Sequence, residues 1–331
     1  MNTLLLGTDN KDLARASDIF RSGGLVAIPT ETVYGLGANA FDKDACLKIF
    51  AAKGRPADNP LIVHIAYKSQ LEDIVEEIND NAKKLMDAFW PGPLTIVMKK
   101  SVKIPYEVSA GLDTVAVRMP SHKIAKQLLD ICGLPIAAPS ANTSGKPSPT
   151  TAKHVLDDLN GKIDAIIDGG DCNVGLESTV IDVTEDIPKL LRPGGITYEQ
   201  LCDILGEVIK NYEFKDGEVP KSPGVKYKHY APKAEVFVVK GSLVDFIKKE
   251  YYKYDKIGVL CHSKYEMPEN CVVKYMGNKP EEYANTLFSH LRSFDDENVD
   301  VIFAEDVDDK GINLAVSNRL YKAAGYKFVE L

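Results

Sequence analysis

The segment KGRPADNPLIVH, which runs from Lys53 to His64, concentrates residue types that bind anions. Lys53, Arg55 and Asn59 fall within seven residues, and two prolines stiffen the backbone around them. Two cations and an amide on a stiff turn suit a polyphosphate or a carboxylate, because fixed charge does not have to reorganise. A solvated surface loop would have the same composition, so this segment alone leaves both interpretations open.

Two further loops carry small hydroxyl side chains directly after predicted strands. PTETVYGLGANA follows a short apolar run at 25–28, and APSANTSGKPSPT follows another at 135–138. Open α/β sheets bind ligands beyond the carboxyl ends of their strands, and hydroxyls beside backbone N–H groups suit a phosphate. Turns that merely satisfy the backbone are the alternative for both loops, and Glu31 in the first loop would then be solvated.

Three arginines, Arg55, Arg118 and Arg192, each lie at the end of a predicted element beside a polar loop. A surface ion pair would explain any one of them, but three such positions favour a single anionic site. No GxSxG motif and no evident Cys–His pair occurs, so a covalent nucleophile is not indicated. Positioning and charge neutralisation, with a divalent ion, remain as the chemistry, and phosphoryl and nucleotidyl transfer work in this way.

The two common nucleotide-binding signatures do not account for these loops. The sequence contains no Walker loop. Residues 35–40 match GxGxxA only weakly, because six residues separate them from the preceding strand. An anionic site in this chain therefore needs another architecture.

Length and composition bound the class of protein. With 331 residues, of which 44% are hydrophobic, the chain is long enough for two packed domains. A formal net charge of −8 excludes a globally basic nucleic-acid binder. The six cysteines show no metal-ligand spacing, which predicts free thiols in a reducing cytosol. Since neither a signal peptide nor a membrane span is indicated, a cytoplasmic protein is expected.

Strand-like and helix-like segments alternate through the first two thirds of the chain, which predicts an α/β fold with a mostly buried sheet. They include a helix at 42–51 capped by Asp42 and a strand at 61–66. Periodicity stops at 211–232, where lysines and tyrosines interleave, and a second alternation then predicts a small doubly wound domain. The chain is therefore expected to hold two α/β domains joined by a linker.

Eight strings along the chain together resemble the threonylcarbamoyl-AMP synthase family in its long two-domain form. The strings are PTETVYGLG, KGRPADNPL with His64, WPGPLT, VAVRMP, APSANTSGKPSPT, GLESTV, LRPG and SPGVKYKHYAP, in the family's order. They span residues 29–232, and the last one separates the long form from the single-domain form. That string has Val225 and Lys228 where the family commonly has Met and Arg, and lysine lacks the planar fork of arginine.

The resemblance implies a twisted mixed-sheet YrdC-like catalytic domain at 1–207, a linker and active-site lid at 208–232, and a small Rossmann-like α/β domain at 233–331. It implies a nucleotidyltransferase that makes L-threonylcarbamoyl-AMP from L-threonine, bicarbonate or carbon dioxide, and ATP, with release of pyrophosphate. Mg²⁺ would accompany the ATP. A separate transferase complex would then pass the threonylcarbamoyl group to an adenosine beside the tRNA anticodon.

The resemblance also assigns roles to residues at the matching positions. Contacts with L-threonine are implied for Thr32, His64, Arg118, Ala138 and Ser178. Contacts with ATP or its product are implied for Arg55, Asn59, Thr114, Ser140, Ser148, Arg192 and Tyr230. Arg118 would clamp the threonine carboxylate, Tyr230 would bring the linker over the nucleotide, and Lys53, facing the phosphates, would be catalytic together with Arg55. The residues that ligate Mg²⁺ are not identified.

A double-stranded RNA- or tRNA-binding module is the alternative hypothesis, because the YrdC-like fold can present a positive concavity. The acidic balance of the chain argues against it, although a local basic patch could still contact RNA. The two hypotheses differ in what the protein consumes, since only the enzyme would release pyrophosphate from ATP.

Overall fold

The structure of the protein, a computed structural model, describes residues 2–210, 221 and 229–330. These residues form two compact units. The first takes the described residues of 1–144, 149–173 and 177–226, and the second takes those of 145–148, 174–176 and 227–331. Most of the predicted linker and lid at 208–232 lies outside the described residues, so the lid and the domain boundaries stay predictions.

The described residues form fifteen strands and eleven α-helices. The strands are β1 (Leu4–Leu6), β2 (Val26–Ile28), β3 (Gly35–Asn39), β4 (Ile62–His64), β5 (Leu94–Lys99), β6 (Thr114–Arg118), β7 (Ile136–Ala138), β8 (Ala165–Ile167), β9 (Thr179–Asp182), β10 (Lys189–Arg192), β11 (Glu235–Lys240), β12 (Ile257–Cys261), β13 (Cys271–Tyr275), β14 (Val301–Glu305) and β15 (Phe328–Glu330). The α-helices are α1 (Asn10–Arg21), α2 (Lys43–Lys53), α3 (Leu71–Ile74), α4 (Asp80–Phe89), α5 (Tyr106–Ser109), α6 (Lys123–Cys132), α7 (Ala152–Leu159), α8 (Tyr198–Leu205), α9 (Leu243–Glu250), α10 (Pro280–Glu297) and α11 (Asn313–Ala323).

One ten-stranded sheet, in the order β1-β8-β2-β3-β7-β4-β6-β5-β9-β10, forms the centre of the first unit. Strand β4 is parallel to β6 and antiparallel to β7, while β5 is antiparallel to β6 and parallel to β9. Strands β2, β4, β7 and β8 are buried along their whole length, as expected for a sheet covered on both faces. The predicted mixed α/β sheet is confirmed.

Helix α1 shows how the sequence attaches helices to this sheet. The side chain of Asp9 accepts a hydrogen bond from the backbone N–H of Asp12 and so caps the first turn. Leu13, Ala16 and Phe20 recur at helical spacing, are fully buried, and pack in one apolar cluster with residues of β1, β2, β8 and α6. Burial of such a stripe stabilises the layer by roughly 1.5–3 kcal/mol for each large side chain.

Helix α2 positions the anion-binding segment seen in the sequence. Asp42 caps it as predicted, accepting from the backbone N–H groups of Asp44 and Ala45. The helix continues to Lys53 and ends at Gly54, whose φ of 61° is the left-handed conformation that glycine adopts without strain. The strand predicted at 61–66 is shorter, because only Ile62–His64 pairs with neighbours.

The GxGxxA-like residues 35–40 lie mainly in a strand. β3 covers Gly35–Asn39 and pairs with β2 and β7. A phosphate-binding turn needs backbone N–H groups that are free of a sheet, so the weak match to a dinucleotide fingerprint has no counterpart here.

The second unit contains a five-stranded parallel sheet in the order β13-β12-β14-β11-β15. Its core joins Ile247 of α9 to Val259 of β12 and Phe303 of β14. The predicted small α/β domain is therefore confirmed in kind. Across the part of the chain that the structure describes, no helix has the length and apolar character that a bilayer crossing requires.

Candidate active site

The register of four neighbouring strands brings predicted site residues to one face of the first sheet. His64 of β4 lies opposite Arg118 of β6, and Thr95 of β5 lies opposite Arg118 on the other side. Ala138 of β7 lies opposite Ile62, which shares a face with His64 because side chains alternate along a strand. Partners in register point to the same side of a sheet, so these side chains share one face.

Along the strands, this face has two ends. His64 and Arg118 finish the parallel strands β4 and β6, whereas Thr114 begins β6 and Asn59 precedes β4. Thr114 and Arg118 point the same way and their Cα atoms are about 13 Å apart along the strand. Ser140 follows β7, which is antiparallel to β4, and therefore lies at the side of Asn59. These two regions are named the Arg118 end and the Asn59 end.

An apolar floor separates the two ends. It is a buried cluster of Ile62, Val97, Ala116, Val180 and Leu191. Ile62 and Val97 both lie opposite Ala116, two residues from Arg118, so the cluster occupies the face that carries the predicted site residues. Apolar walls lower the local dielectric and strengthen charge interactions beside them.

At the Arg118 end, the Arg118 guanidinium is fixed from three sides. Nη1 donates to the Thr32 hydroxyl at 2.8 Å, Nε donates to the Gly92 carbonyl at 3.2 Å, and Nη2 lies 2.6 Å from Glu31 Oε1. The Arg118 side chain is only 4% exposed and that of Glu31 only 7%. A guanidinium held in this way is preorganised for an anionic ligand.

Glu31 is a buried carboxylate and not the solvated side chain that a simple turn would leave. It accepts hydrogen bonds from the backbone N–H groups of Ser121 at 3.1 Å and His122 at 3.3 Å. Burial alone would raise its pKa, but the charge and hydrogen bond of Arg118 outweigh burial and lower the pKa of Glu31 to about 2. Glu31 and Arg118 therefore remain an ion pair at neutral pH.

His64 is neutral at physiological pH. Burial, with a smaller contribution from the charge of Arg118, lowers the pKa of His64 to about 3. Its Nδ1 lies 3.0 Å from the carbonyl oxygen of Ile62, a distance at which Nδ1–H donates to that oxygen. His64 therefore adds no second positive charge beside Arg118.

Ser178 connects the Arg118 end to the third arginine. Its hydroxyl lies 2.7 Å from that of Thr95, the residue opposite Arg118. Arg192 Nη2 donates to the Ser178 carbonyl at 3.0 Å and to its hydroxyl at 3.2 Å. Arg192, predicted to contact ATP, thus lies with the predicted threonine contacts, and the structure brings Arg118 and Arg192 to one place.

Asn59 is completely buried, yet neither polar atom of its amide has a hydrogen-bond partner among the described residues. Leaving such a group unsatisfied costs about 1–3 kcal/mol, so its presence calls for an explanation. Arg55, four residues earlier, is half-buried with its guanidinium 5.8 Å from the centre of the Phe50 ring. Thr114, predicted to contact ATP, is also half-buried.

Lys53 makes hydrogen bonds that the sequence did not predict. Its Nζ donates to the carbonyl oxygens of Ser140 and Asn142, both at 2.5 Å, and the residue is 3% exposed. The Ser140 hydroxyl in turn donates to Asn142 Oδ1 at 2.5 Å. The ammonium therefore ties the polar loop after β7 to the end of α2, and the predicted contact of Lys53 with phosphate stays a prediction.

Two predicted ATP contacts, Ser148 and Tyr230, belong to the second unit. Ser148 is fully buried and Tyr230 is 5% exposed. They are not part of the sheet face that carries Arg118 and Asn59, and their roles stay predictions, as do those of the first-unit residues.

Sequence reasoning missed Glu31 and Thr95 as parts of this arrangement. Thr95 shows its importance only through its register opposite Arg118. The available signal for Glu31 was its place between two threonines after a buried strand, where a solvated carboxylate would have been unusual.

Metal binding by side chains can be assessed at 2–210, 221 and 229–330. Among the described residues, no three His, Cys, Asp or Glu side chains are grouped to hold a metal ion. Mg²⁺ that travels with a nucleotide takes most of its ligands from phosphates and water. A metal ion that enters with a nucleotide would therefore need few ligands from the chain.

Comparisons with known proteins match both units. A family model described as "Telomere recombination" matches residues 18–194, and one described as "Threonylcarbamoyl-AMP synthase, C-terminal domain" matches residues 196–325. The threonylcarbamoyl-AMP synthase of Pyrococcus abyssi is 51% identical over 325 residues, which are 96% of this chain and 95% of that relative. The protein of the same name from Bacillus subtilis is 48% identical over 332 residues, covering 98% and 96%.

A solved structure gives the same match in three dimensions. The crystal structure of P. abyssi Sua5 complexed with L-threonine aligns with a TM-score of 0.92 at 48% sequence identity. The alignment covers 99% of this chain and 100% of that one. The relative therefore shares the fold along the whole chain.

Proposed function

Because the chain belongs to the threonylcarbamoyl-AMP synthase family, we propose that it joins L-threonine, bicarbonate or carbon dioxide, and ATP into L-threonylcarbamoyl-AMP. The family makes the chain an enzyme of the nucleotidyltransferase type. One observation carries the finer proposal: a buried, fixed guanidinium lies where β6 ends, and a buried amide without a described partner lies just before β4, the parallel neighbour of β6. Such an arrangement suits a carboxylate and a nucleotide side by side.

At the Arg118 end, L-threonine binds through its carboxylate to Arg118. Thr32, His64, Ala138 and Ser178 complete the contacts, as the family resemblance implies. The proposal is supported by the buried guanidinium, which Thr32 and Glu31 hold in place. A P. abyssi relative has been solved with L-threonine, which supports the amino acid as the ligand.

At the Asn59 end, ATP binds with Mg²⁺ on its phosphates. Asn59, Thr114 and Ser140 contact the nucleotide there, and the resemblance implies further ATP contacts from Arg55, Arg192, Ser148 and Tyr230. The amide of Asn59, which has no hydrogen-bond partner among the described residues, supports this, since donor and acceptor groups of a nucleotide would satisfy it. Arg55 and Lys53 add positive charge beside the phosphates.

The reaction follows from holding these two reagents together. The threonine amine adds to carbon dioxide and loses a proton, or condenses with bicarbonate and releases water, and a carbamate forms. A carbamate oxygen then attacks the α-phosphorus of ATP, the bond between that phosphorus and the β-bridging oxygen breaks, and pyrophosphate leaves. Alignment of the reagents and neutralisation of charge supply the rate enhancement, and no covalent bond to the protein forms. The product serves threonylcarbamoyladenosine synthesis in tRNA through a separate transferase complex.

Omitting one reagent at a time tests the proposal. Pyrophosphate is expected only when L-threonine, bicarbonate, ATP and Mg²⁺ are all present, and omission of any one should reduce its release to background. Pyrophosphate release that does not depend on L-threonine would contradict the proposal. Tight binding of double-stranded RNA without this turnover would favour the RNA-binding module instead.

A further inference from the structure

Helix α10 and the backbone at Ala231, both in the second unit, contact a short segment at 145–148. Arg292 of α10 donates from Nη2 to the carbonyl oxygen of Pro147 at 2.5 Å. The backbone N–H of Ala231 donates to the Gly145 carbonyl at 2.9 Å. All four residues belong to the second unit, so these bonds join the segment that contains Ser148 to α10 and to the residue after Tyr230.

Helices α10 and α11 contact the ring of Tyr230. The centre of the Tyr230 ring lies 5.1 Å from the centre of the Phe288 ring in α10. The guanidinium carbon of Arg319 in α11 lies 5.9 Å from the centre of the Tyr230 ring. Phe288 and Arg319 are fully buried. Tyr230 has a φ of 67°, a left-handed conformation that a bulky residue keeps only where its surroundings hold it.

We propose that α10 and α11 act as a nucleotide-positioning device, with Arg292, Phe288 and Arg319 as positioning residues. This rests on the proposed function, in which Ser148 and Tyr230 contact ATP. Arg292 fixes the backbone that carries Ser148, while Phe288 and Arg319 fix the ring of Tyr230. Helices α10 and α11 thereby contribute to catalysis by ordering the nucleotide contacts, a role that the sequence did not predict.

The physical effect is preorganisation. A nucleotide that meets ordered contacts does not have to order them on binding, so it binds more tightly without any new contact. The effect should therefore act on ATP and leave L-threonine unaffected, because the predicted threonine contacts belong to the first unit. A split between the two substrates distinguishes positioning from general destabilisation.

Arg292→Ala tests the device. The KM for ATP is expected to rise about tenfold, the scale of a lost hydrogen bond from a charged donor, while the KM for L-threonine stays within about twofold. Arg292→Lys keeps a cationic donor and should recover part of the loss. Asp296→Ala, on an exposed position one turn further along α10, is the matched control and should leave both constants unchanged.

Phe288→Leu provides a second variant that keeps the site apolar and of similar volume. It should raise the KM for ATP through Tyr230 while Arg292 stays in place. An unchanged KM for ATP in both Arg292→Ala and Phe288→Leu would overturn the inference. Equal rises in the KM for ATP and the KM for L-threonine, together with a lowered melting temperature, would also overturn it. The proposed function itself fails only if the wild-type protein makes no threonine-dependent pyrophosphate, so the two failures are distinguishable.

Discussion

The Arg118 end and the Asn59 end differ in how their buried polar groups find partners. At the Arg118 end, the buried charges compensate one another, because Glu31 lies 2.6 Å from Arg118 and accepts two further backbone hydrogen bonds. At the Asn59 end, a completely buried amide has no hydrogen-bond partner among the described residues. One end is satisfied by the protein itself, whereas the other leaves part of its polar capacity to a ligand.

The difference suggests how stability and binding are divided between the two ends. Removing a member of the Arg118 end should destabilise the folded protein as well as weaken threonine binding, since a charge would be left buried and unpaired. Removing the amide at the Asn59 end should weaken nucleotide binding but not the unliganded fold. Measurements of stability and substrate constants on the same variants can therefore break or sharpen the comparison.

Arg118→Ala should have the largest effect. Loss of a charge-assisted contact with the threonine carboxylate is worth about 2–4 kcal/mol, or roughly 30- to 1,000-fold in kcat/KM for L-threonine. The variant also leaves Glu31 buried without its cation, which should cost about 3–5 kcal/mol of unfolding free energy. Steady-state pyrophosphate release and urea denaturation measure the two effects.

The double variant Arg118→Ala, Glu31→Gln separates the two effects of this substitution. Because glutamine is neutral, the double variant should regain much of the stability lost by Arg118→Ala while remaining inactive. Arg118→Lys keeps the charge but lacks the planar fork, and should fall between wild type and alanine. If the double variant were no more stable than Arg118→Ala, the ion pair would not be what holds the Arg118 end together.

Asn59→Leu should have an intermediate effect that differs in sign between folding and function. An apolar side chain of similar shape removes an unsatisfied buried amide, so the unliganded protein should gain about 1 kcal/mol of unfolding free energy. The KM for ATP should rise about tenfold because the variant loses hydrogen bonds to the nucleotide. Urea denaturation without ligand and steady-state kinetics test both halves, and a clear loss of stability would mean that the amide is already satisfied within the protein.

The sequence predicted the elements that surround the candidate site because their signals are local. Hydroxyls after β2, the cap at Asp42 and the basic turn after α2 are properties of short segments. The burial of Glu31 could not be predicted in this way, because its partner is 87 residues away and is brought there by strand pairing. The orientation of the Lys53 side chain could not be predicted either, since its acceptors, Ser140 and Asn142, lie on a loop distant in sequence.

Register is the quantity that decides which face a strand residue joins, and it depends on pairing between distant segments. A shift of one residue between β4 and β6 would have turned His64 away from Arg118. Motif matching brought His64 and Arg118 into one hypothesis without this information. The structure adds that they are neighbours in register, that Thr95 completes the row, and that an apolar floor extends from it.

His64→Gln should give the smallest effect at neutral pH and the clearest one in mild acid. The pKa of His64 is about 3 in the folded protein, below its ordinary value of 6.5. As the pH falls below 6.5, the imidazole therefore takes up a proton in the unfolded chain but stays neutral in the folded protein. The stability that His64 contributes is therefore fully present above pH 6.5 and is lost as the pH falls towards about 3, with a slope that approaches about 1.4 kcal/mol per pH unit. Glu31, whose pKa is lowered from 4.5 to about 2, loses its contribution mainly at lower pH. Burial also lowers the pKa of His122 and His290, so the difference between wild type and variant in urea denaturation from about pH 6.5 to about pH 5 reports on His64. Over that range the stability of the Gln variant should fall less steeply than that of the wild type, and identical slopes would show that folding does not lower the pKa of His64.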